Sequence, residues 1–132
     1  MARTYGFIYV LGNDAMPGIY KIGHTGEHPK LRAQSLSSPS GCPQPFVLLA
    51  YFGCERPMFV ERDIHQTFKA FRVNKEREFF QLDLIELLAE FRARAAQEDD
   101  VLYTRPLDGV CAYLQEQMDA ARAEAKARAA RK

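Results

Sequence analysis

The sequence predicts an α+β domain, a small antiparallel sheet flanked by helices, followed by a C-terminal helical arm. Three observations predict it. Residues 6–23 read as two short strands of β-branched and aromatic residues, with the turn formers Gly12-Asn13-Asp14-Ala15-Met16-Pro17-Gly18 between them. The apolar run 46–52 is continuous and short, as a strand covered on both faces should be. Two later stretches, 57–71 and 84–95, carry apolar residues at helical spacing. The order β-β-α-β-α-β, then helices, is that of an α+β fold.

In the hairpin each strand carries a tyrosine, Tyr9 and Tyr20, and pairing of the two arms is expected to turn both toward one cleft. After a polar break, Pro29 suits the first turn of a short helix through Leu36. Ser37-Ser38-Pro39-Ser40-Gly41-Cys42-Pro43-Gln44-Pro45 then breaks it ahead of the third strand. Arg56-Pro57 opens a helix to about Phe71 whose stripe is Val60, Ile64, Thr67 and Phe71, with Phe68 at its edge and Glu61 and His65 one turn apart on its border.

Residues 78–82 form a short extended segment. Asp83 and Glu86 have the spacing of a capping box, and Leu84, Leu87, Leu88, Phe91 and Ala95 make an amphipathic helix that ends at residues 97–100. Asp108 is placed to cap a last helix with Val110, Leu114, Met118 and Ala121 on its apolar side. From Asp119 the chain is alanine and charge. The expected division is a domain over residues 5–97 and an arm over 106–132. That arm could dimerise, touch nucleic acid through Arg122, Lys126, Arg128, Arg131 and Lys132, or only solubilise.

With 132 residues, 47% of them hydrophobic, the chain has enough apolar side chains for one core. A net charge of +1 gives no global attraction for nucleic acid, so any such binding must come from local clustering. The N-terminus lacks an apolar run behind a basic start, and run 46–52 is far too short for a bilayer, so neither signal peptide nor membrane segment is expected. Cys42, Cys54 and Cys111 form no C-x-x-C pair, which argues against a zinc site or disulfide framework and for a cytoplasmic setting.

Phosphodiester cleavage needs a group that deprotonates water, a cation for the charge of the transition state, and a ligand for that cation. Mg²⁺ keeps most of its waters and can be held by one carboxylate. Arginine offers a fork matched to phosphate oxygens. Tyrosine, with a reference pKa of about 10, becomes a usable proton relay only beside positive charge. Tyr9, Tyr20, Arg32 and Glu61 together cover these roles.

In their order along the chain these residues resemble the GIY-YIG nuclease superfamily. Phe7-Ile8-Tyr9 corresponds to the first signature element and Tyr20-Lys21-Ile22-Gly23, with one inserted residue, to the second. Gly23-His24-Thr25 is similar to the Gly-x-Ser/Thr that follows, the helix arginine falls on Arg32, and the metal-binding glutamate on Glu61. A closer similarity is to a branch first catalogued as a phage DNA-binding domain. It is carried by Pro17-Gly18-Ile19-Tyr20-Lys21-Ile22-Gly23-x-Thr25, Pro29-x-x-Arg32, Glu61-x-x-Ile64-His65-x-x-Phe68 and Arg77-Glu78-Phe79-Phe80.

The resemblance implies a GIY-YIG-like fold and a metal-dependent DNA endonuclease. Tyr9 would be the general base with Tyr20 assisting, Lys21, His24 and Arg32 would contact phosphate, and Glu61 would hold Mg²⁺ or Mn²⁺. DNA and the divalent cation are the implied partners, and a homodimer through the C-terminal helices is the further expectation.

Two departures bear on this. Leu36 stands where such nucleases carry a polar residue four positions beyond the arginine, and Asn74 is the nearest candidate for their terminal asparagine. His24 or His65 could substitute. Glu78 could pair with Arg72 or Arg77 to fix the strand, or line the cleft. The alternative to an endonuclease is a DNA-binding module of the same fold with weak or absent catalysis, and a protein-interaction domain is a third class.

Overall fold

A computed structural model describes residues 5–37, 44–73, 78–104 and 107–131. The elements run β1 (Tyr5–Asn13), β2 (Ile19–Thr25), α1 (Pro29–Ser37), β3 (Phe46–Glu55), α2 (Pro57–Thr67), a 3₁₀ turn (Lys69–Phe71), β4 (Phe79–Gln81), α3 (Leu84–Gln97), β5 (Tyr103–Thr104) and α4 (Leu107–Ala130). The five strands form one antiparallel sheet in the order β4-β2-β1-β3-β5. The α+β class with a C-terminal helix is therefore as the sequence indicates.

Alternation along β1 divides the molecule into two faces. Ile8 and Val10 face α2 and α3, where Ile22, Phe52, Val60, Ile64, Phe80, Leu87 and Phe91 complete the main core. Tyr9 and Leu11 face the other way, onto Ala33 of α1, with Leu36, Phe46, Leu48 and Tyr51 against them. Leu36, at the position where the resemblance implies a polar group, is thus a packing residue for α1.

The hairpin loop is shorter than the turn formers suggest, because β1 continues through Asn13. Asn13 closes it locally: its side-chain oxygen accepts from the Ala15 N–H at 2.9 Å, and its carbonyl accepts from Met16 N–H at 2.8 Å. Gly18 takes the left-handed conformation, φ 78°, that returns the chain to β2.

Other boundaries also move. β3 runs on to Glu55, beyond the apolar stretch. The helix from Pro57 ends at Thr67 and its stripe closes on Phe68, while Thr67 and Phe71 are exposed. Asp83 caps α3 as the spacing requires, its side chain accepting from the N–H groups of Ile85 and Glu86. α4 begins before Asp108, which lies inside its first turn. β5 has no counterpart in the sequence-based order. Asn74, Arg77, Cys42 and Lys132 lie outside the described residues. Cys54 is a buried free thiol, and among the described residues no helix is long and apolar enough to cross a membrane.

Candidate functional site

The second strand decides which residues meet. Cross-strand partners share a face, and β2 pairs with β1 as Tyr9↔Gly23, Leu11↔Lys21, Val10↔Ile22 and Gly12↔Tyr20. Lys21 and Gly23 therefore lie on the Tyr9 side of the sheet, and Tyr20 lies with Ile22 on the other. Tyr20 is buried in the main core opposite Phe80. The expectation that Tyr9 and Tyr20 face one cleft is corrected here: a period of two separates them onto opposite faces. Lys21, next to Tyr20 in sequence, takes the place on the Tyr9 face.

Tyr9 reaches across Gly23 toward the edge of β2. A methyl group at position 23 would overlap the Tyr9 hydroxyl and ring, so glycine is what gives the tyrosine its path. At the end of that path the Arg32 side chain of α1 comes near the Tyr9 hydroxyl and favours its ionised form. Tyr9 itself is only 1% exposed. Burial raises its pKa above the ordinary value; the Arg32 side chain pulls it down, and the negative charges of Glu78 and Glu61 push it up. The tyrosine is thus poised between one cation and two carboxylates.

Glu61 approaches the same edge from α2. Its Oε2 is hydrogen-bonded by His24 Nδ1 of β2, and its Oε1 lies 3.5 Å from His65 Nε2, one turn along the helix. His65 Nε2 donates to the carbonyl of Ile22 at 2.8 Å, and burial holds its pKa below the ordinary imidazole value. His65 therefore pins α2 to β2 and forms one wall of the site.

Glu78, at the start of β4, completes the group. Its Oε2 accepts from Lys21 Nζ at 3.1 Å, and its carboxyl lies beside that of Glu61. Burial drives the Glu61 carboxyl up to about 7, with the neighbouring Glu78 adding to the rise and His24 opposing it. For Glu78, burial acts upward, but the Glu61 carboxyl and the Lys21 ammonium outweigh it and hold the carboxyl below its ordinary value. Of the two carboxyls, Glu61 is the one that burial and its neighbour push toward the protonated form.

His24, Glu61, His65, Arg72 and Glu78 line a cleft of about 380 Å³, with Met58 at its rim. Of the residues proposed from sequence, Glu61, His24 and His65 meet in this cleft. Lys21 joins them through Glu78, and Tyr9 and Arg32 adjoin from the α1 side. Tyr20 does not. Where the sequence leaves Glu78 a choice between bracing its strand and lining the cleft, the structure has it line the cleft and pair with Lys21. The signal that places Lys21 is present in the alternation of β2, but Glu78 is brought to Glu61 by the β2–β4 register, in which Ile22 N–H donates to the Glu78 carbonyl at 3.0 Å. Sequence does not display that register.

Among the described residues no group of three or more His, Cys, Asp or Glu is arranged to hold a metal ion. What the cleft offers a cation is two adjoining carboxyl groups and room for water. That donor set suits a hard ion that keeps most of its hydration shell.

No curated protein and no solved structure matches the chain. The T5orf172 domain, by contrast, matches residues 6–95, a span that takes in β1 through most of α3 and each of the site residues above. The chain belongs to the T5orf172 domain family.

Proposed function

We propose that this chain is a metal-dependent DNA endonuclease of the GIY-YIG type, hydrolysing phosphodiester bonds at the edge of β2. The observation that carries the reading is the approach of Tyr9–Arg32 from one side of the sheet and His24–Glu61–Glu78 from the other. Membership of the T5orf172 family is consistent with a nuclease or DNA-binding module.

Glu61, with Glu78 beside it, would hold Mg²⁺ or Mn²⁺, which when bound supplies Lewis-acid charge to phosphate oxygens. The chain's own residues do the rest. Arg32 stabilises negative charge on the Tyr9 oxygen, so Tyr9 can accept a proton from the attacking water once it has released its own. Lys21 and Arg32 offer donors to the phosphate, and Lys21 is kept in place by Glu78. His24 orients the Glu61 carboxyl. Tyr20 takes no part in this scheme and acts as core.

One observation favours the second reading, a DNA-binding module with little or no catalysis. Tyr9 is buried and is not among the residues lining the cleft, so a phosphate must displace protein to reach it. Supercoiled, linear and branched DNA incubated with Mg²⁺, Mn²⁺ or chelator separates the two. Endonuclease action predicts cation-dependent cutting that Glu61→Gln abolishes. Salt-sensitive retention of DNA, weakened by Arg32→Ala and with no cutting under any condition, would establish the binding module instead.

A further inference from the structure

Among the described residues, α1 covers one end of its face of the sheet. α1 packs over Tyr9, Leu11, Phe46 and Leu48. Farther toward β5 the same face carries a row of rings. Tyr103 on β5 stacks on Tyr51 of β3, with centroids 5.1 Å apart and planes 19° apart. Tyr51 meets Phe7 of β1 edge-on at 5.9 Å, and Phe7 meets Tyr5 edge-on at 5.8 Å. His28, at the entry to α1, sits 5.2 Å from the Tyr51 ring, with its Nε2 and the Tyr51 hydroxyl 3.3 Å apart.

A solvated face of an antiparallel sheet ordinarily alternates to polar residues. Here the outward positions are aromatic, and the two ends of the row are open: Tyr5 is 56% and Tyr103 49% exposed. β5 is two residues long, and its pairing of Tyr51 with Tyr103 is what sets the last ring in the row. The row is continuous with the candidate site. Tyr51 lies directly across from Tyr9 in the β1–β3 register and packs on its cluster, while Phe7 precedes Tyr9 by one strand repeat on the same face.

We propose that Tyr5, Phe7, Tyr51 and Tyr103 form a stacking platform for the unpaired bases of a DNA strand led toward Tyr9 and Arg32. The inference rests on the DNA reading above and assigns it a substrate class, DNA with single-stranded character at or beside the scissile bond. Every base has a π face, so such a platform binds without sequence preference, and the exposed end rings carry its affinity. Arg32 of α1, beside the Tyr9 hydroxyl at the inner end of the row, supplies a cationic partner for the backbone, whereas Glu55, Glu98, Asp99 and Asp100 gather by Tyr5 and turn the backbone away from that end.

The test is fluorescence anisotropy of a labelled oligothymidylate of about 12 nucleotides, with a duplex of the same length as comparison, in chelator so that cutting is not read. Tyr103→Ala is expected to weaken oligothymidylate binding by about tenfold, with Tyr103→Phe close to wild type and duplex binding little changed. Tyr103 is an exposed side chain on an edge strand, so its alanine variant should fold; circular dichroism checks this, and Tyr5→Ala provides the independent second variant. Unchanged binding in both alanine variants would overturn the platform. So would a Phe variant as weak as the Ala variant, or an Ala variant that turns a dimer into a monomer without altering oligothymidylate binding. A wild type that never cuts DNA but shows the stacking pattern would sink the endonuclease and support the platform; one that cuts without the pattern would do the reverse.

Discussion

The two faces of the sheet are built from alternate residues of the same strands, yet they differ in kind. On the α2/α3 face, Ile8, Val10, Ile22, Phe52, Phe80 and Phe91 are fully buried among apolar neighbours. On the α1 face, Tyr9 and Gly23 are buried, but Lys21, Arg32 and Tyr51 around them are only half-buried. One face holds the fold and the other carries the polar and aromatic groups that chemistry or recognition would use. The edge of β2, where β4 stops, is where the two communicate, because Glu61 from the first face and Tyr9 from the second both arrive there.

That contrast can be broken most forcefully on the closed face. Phe91→Ala leaves a large cavity beneath Phe52, whose ring it meets edge-on at 5.5 Å. Urea denaturation should show a loss of about 3–5 kcal/mol. A loss below about 1 kcal/mol would mean that α3 is not held as described.

Gly23→Ala acts on the other side of the same sheet. The added methyl pushes Tyr9 off its path, at a stability cost of about 1–3 kcal/mol. Cutting should fall far more than that cost alone explains, by about a hundredfold if Tyr9 is the base. Equal activity at matched folded fraction would remove Tyr9 from the mechanism.

Glu61→Gln sharpens the comparison through pH. In the folded chain the carboxyl is raised from 4.5 to about 7, so the native state keeps a proton that the unfolded chain releases. Stability from this group is complete below pH 4.5 and lost as pH rises through about 7. The amide that replaces the carboxyl has no proton to lose over this range. The variant should therefore match or trail wild type near pH 4.5 and gain on it toward pH 8, by about 1–3 kcal/mol, as read by thermal melts across pH. A difference that does not change with pH would show that Glu61 is not buried against Glu78 as described.

The smallest effect belongs to the start of α3. Asp83→Ala removes a cap accepting two N–H groups, at about 1 kcal/mol, and should leave any DNA cutting unaltered.

How far these features are legible in the chain depends on whether they are local. The α3 helix is readable because its cap and its apolar stripe are local signals. The hairpin is readable for the same reason, though the turn-forming residues overstate its loop, since Gly12 and Asn13 complete β1. β5 is not readable: two residues are too few to show a period, and they become a strand only by pairing with β3. Tyr20 is misplaced when its chemistry is given more weight than its position, for alternation already sets it beside Ile22. Glu78 is easily underestimated because its meeting with Glu61 depends on where β4 docks, a tertiary fact. His65 is visible as a site residue, but its bond to the Ile22 carbonyl makes it a strut as well as a wall.

Under the proposed function, the Tyr9 face and not the Tyr20 face performs the chemistry. The most direct measurement compares the rate of Mg²⁺-dependent nicking of supercoiled DNA by Tyr9→Phe and Tyr20→Phe, each at verified folded concentration. Tyr9→Phe should be slower than wild type by about a hundredfold or more, while Tyr20→Phe stays within a few fold. A Tyr20→Phe variant as impaired as Tyr9→Phe, or a Tyr9→Phe variant that nicks at the wild-type rate, would contradict it.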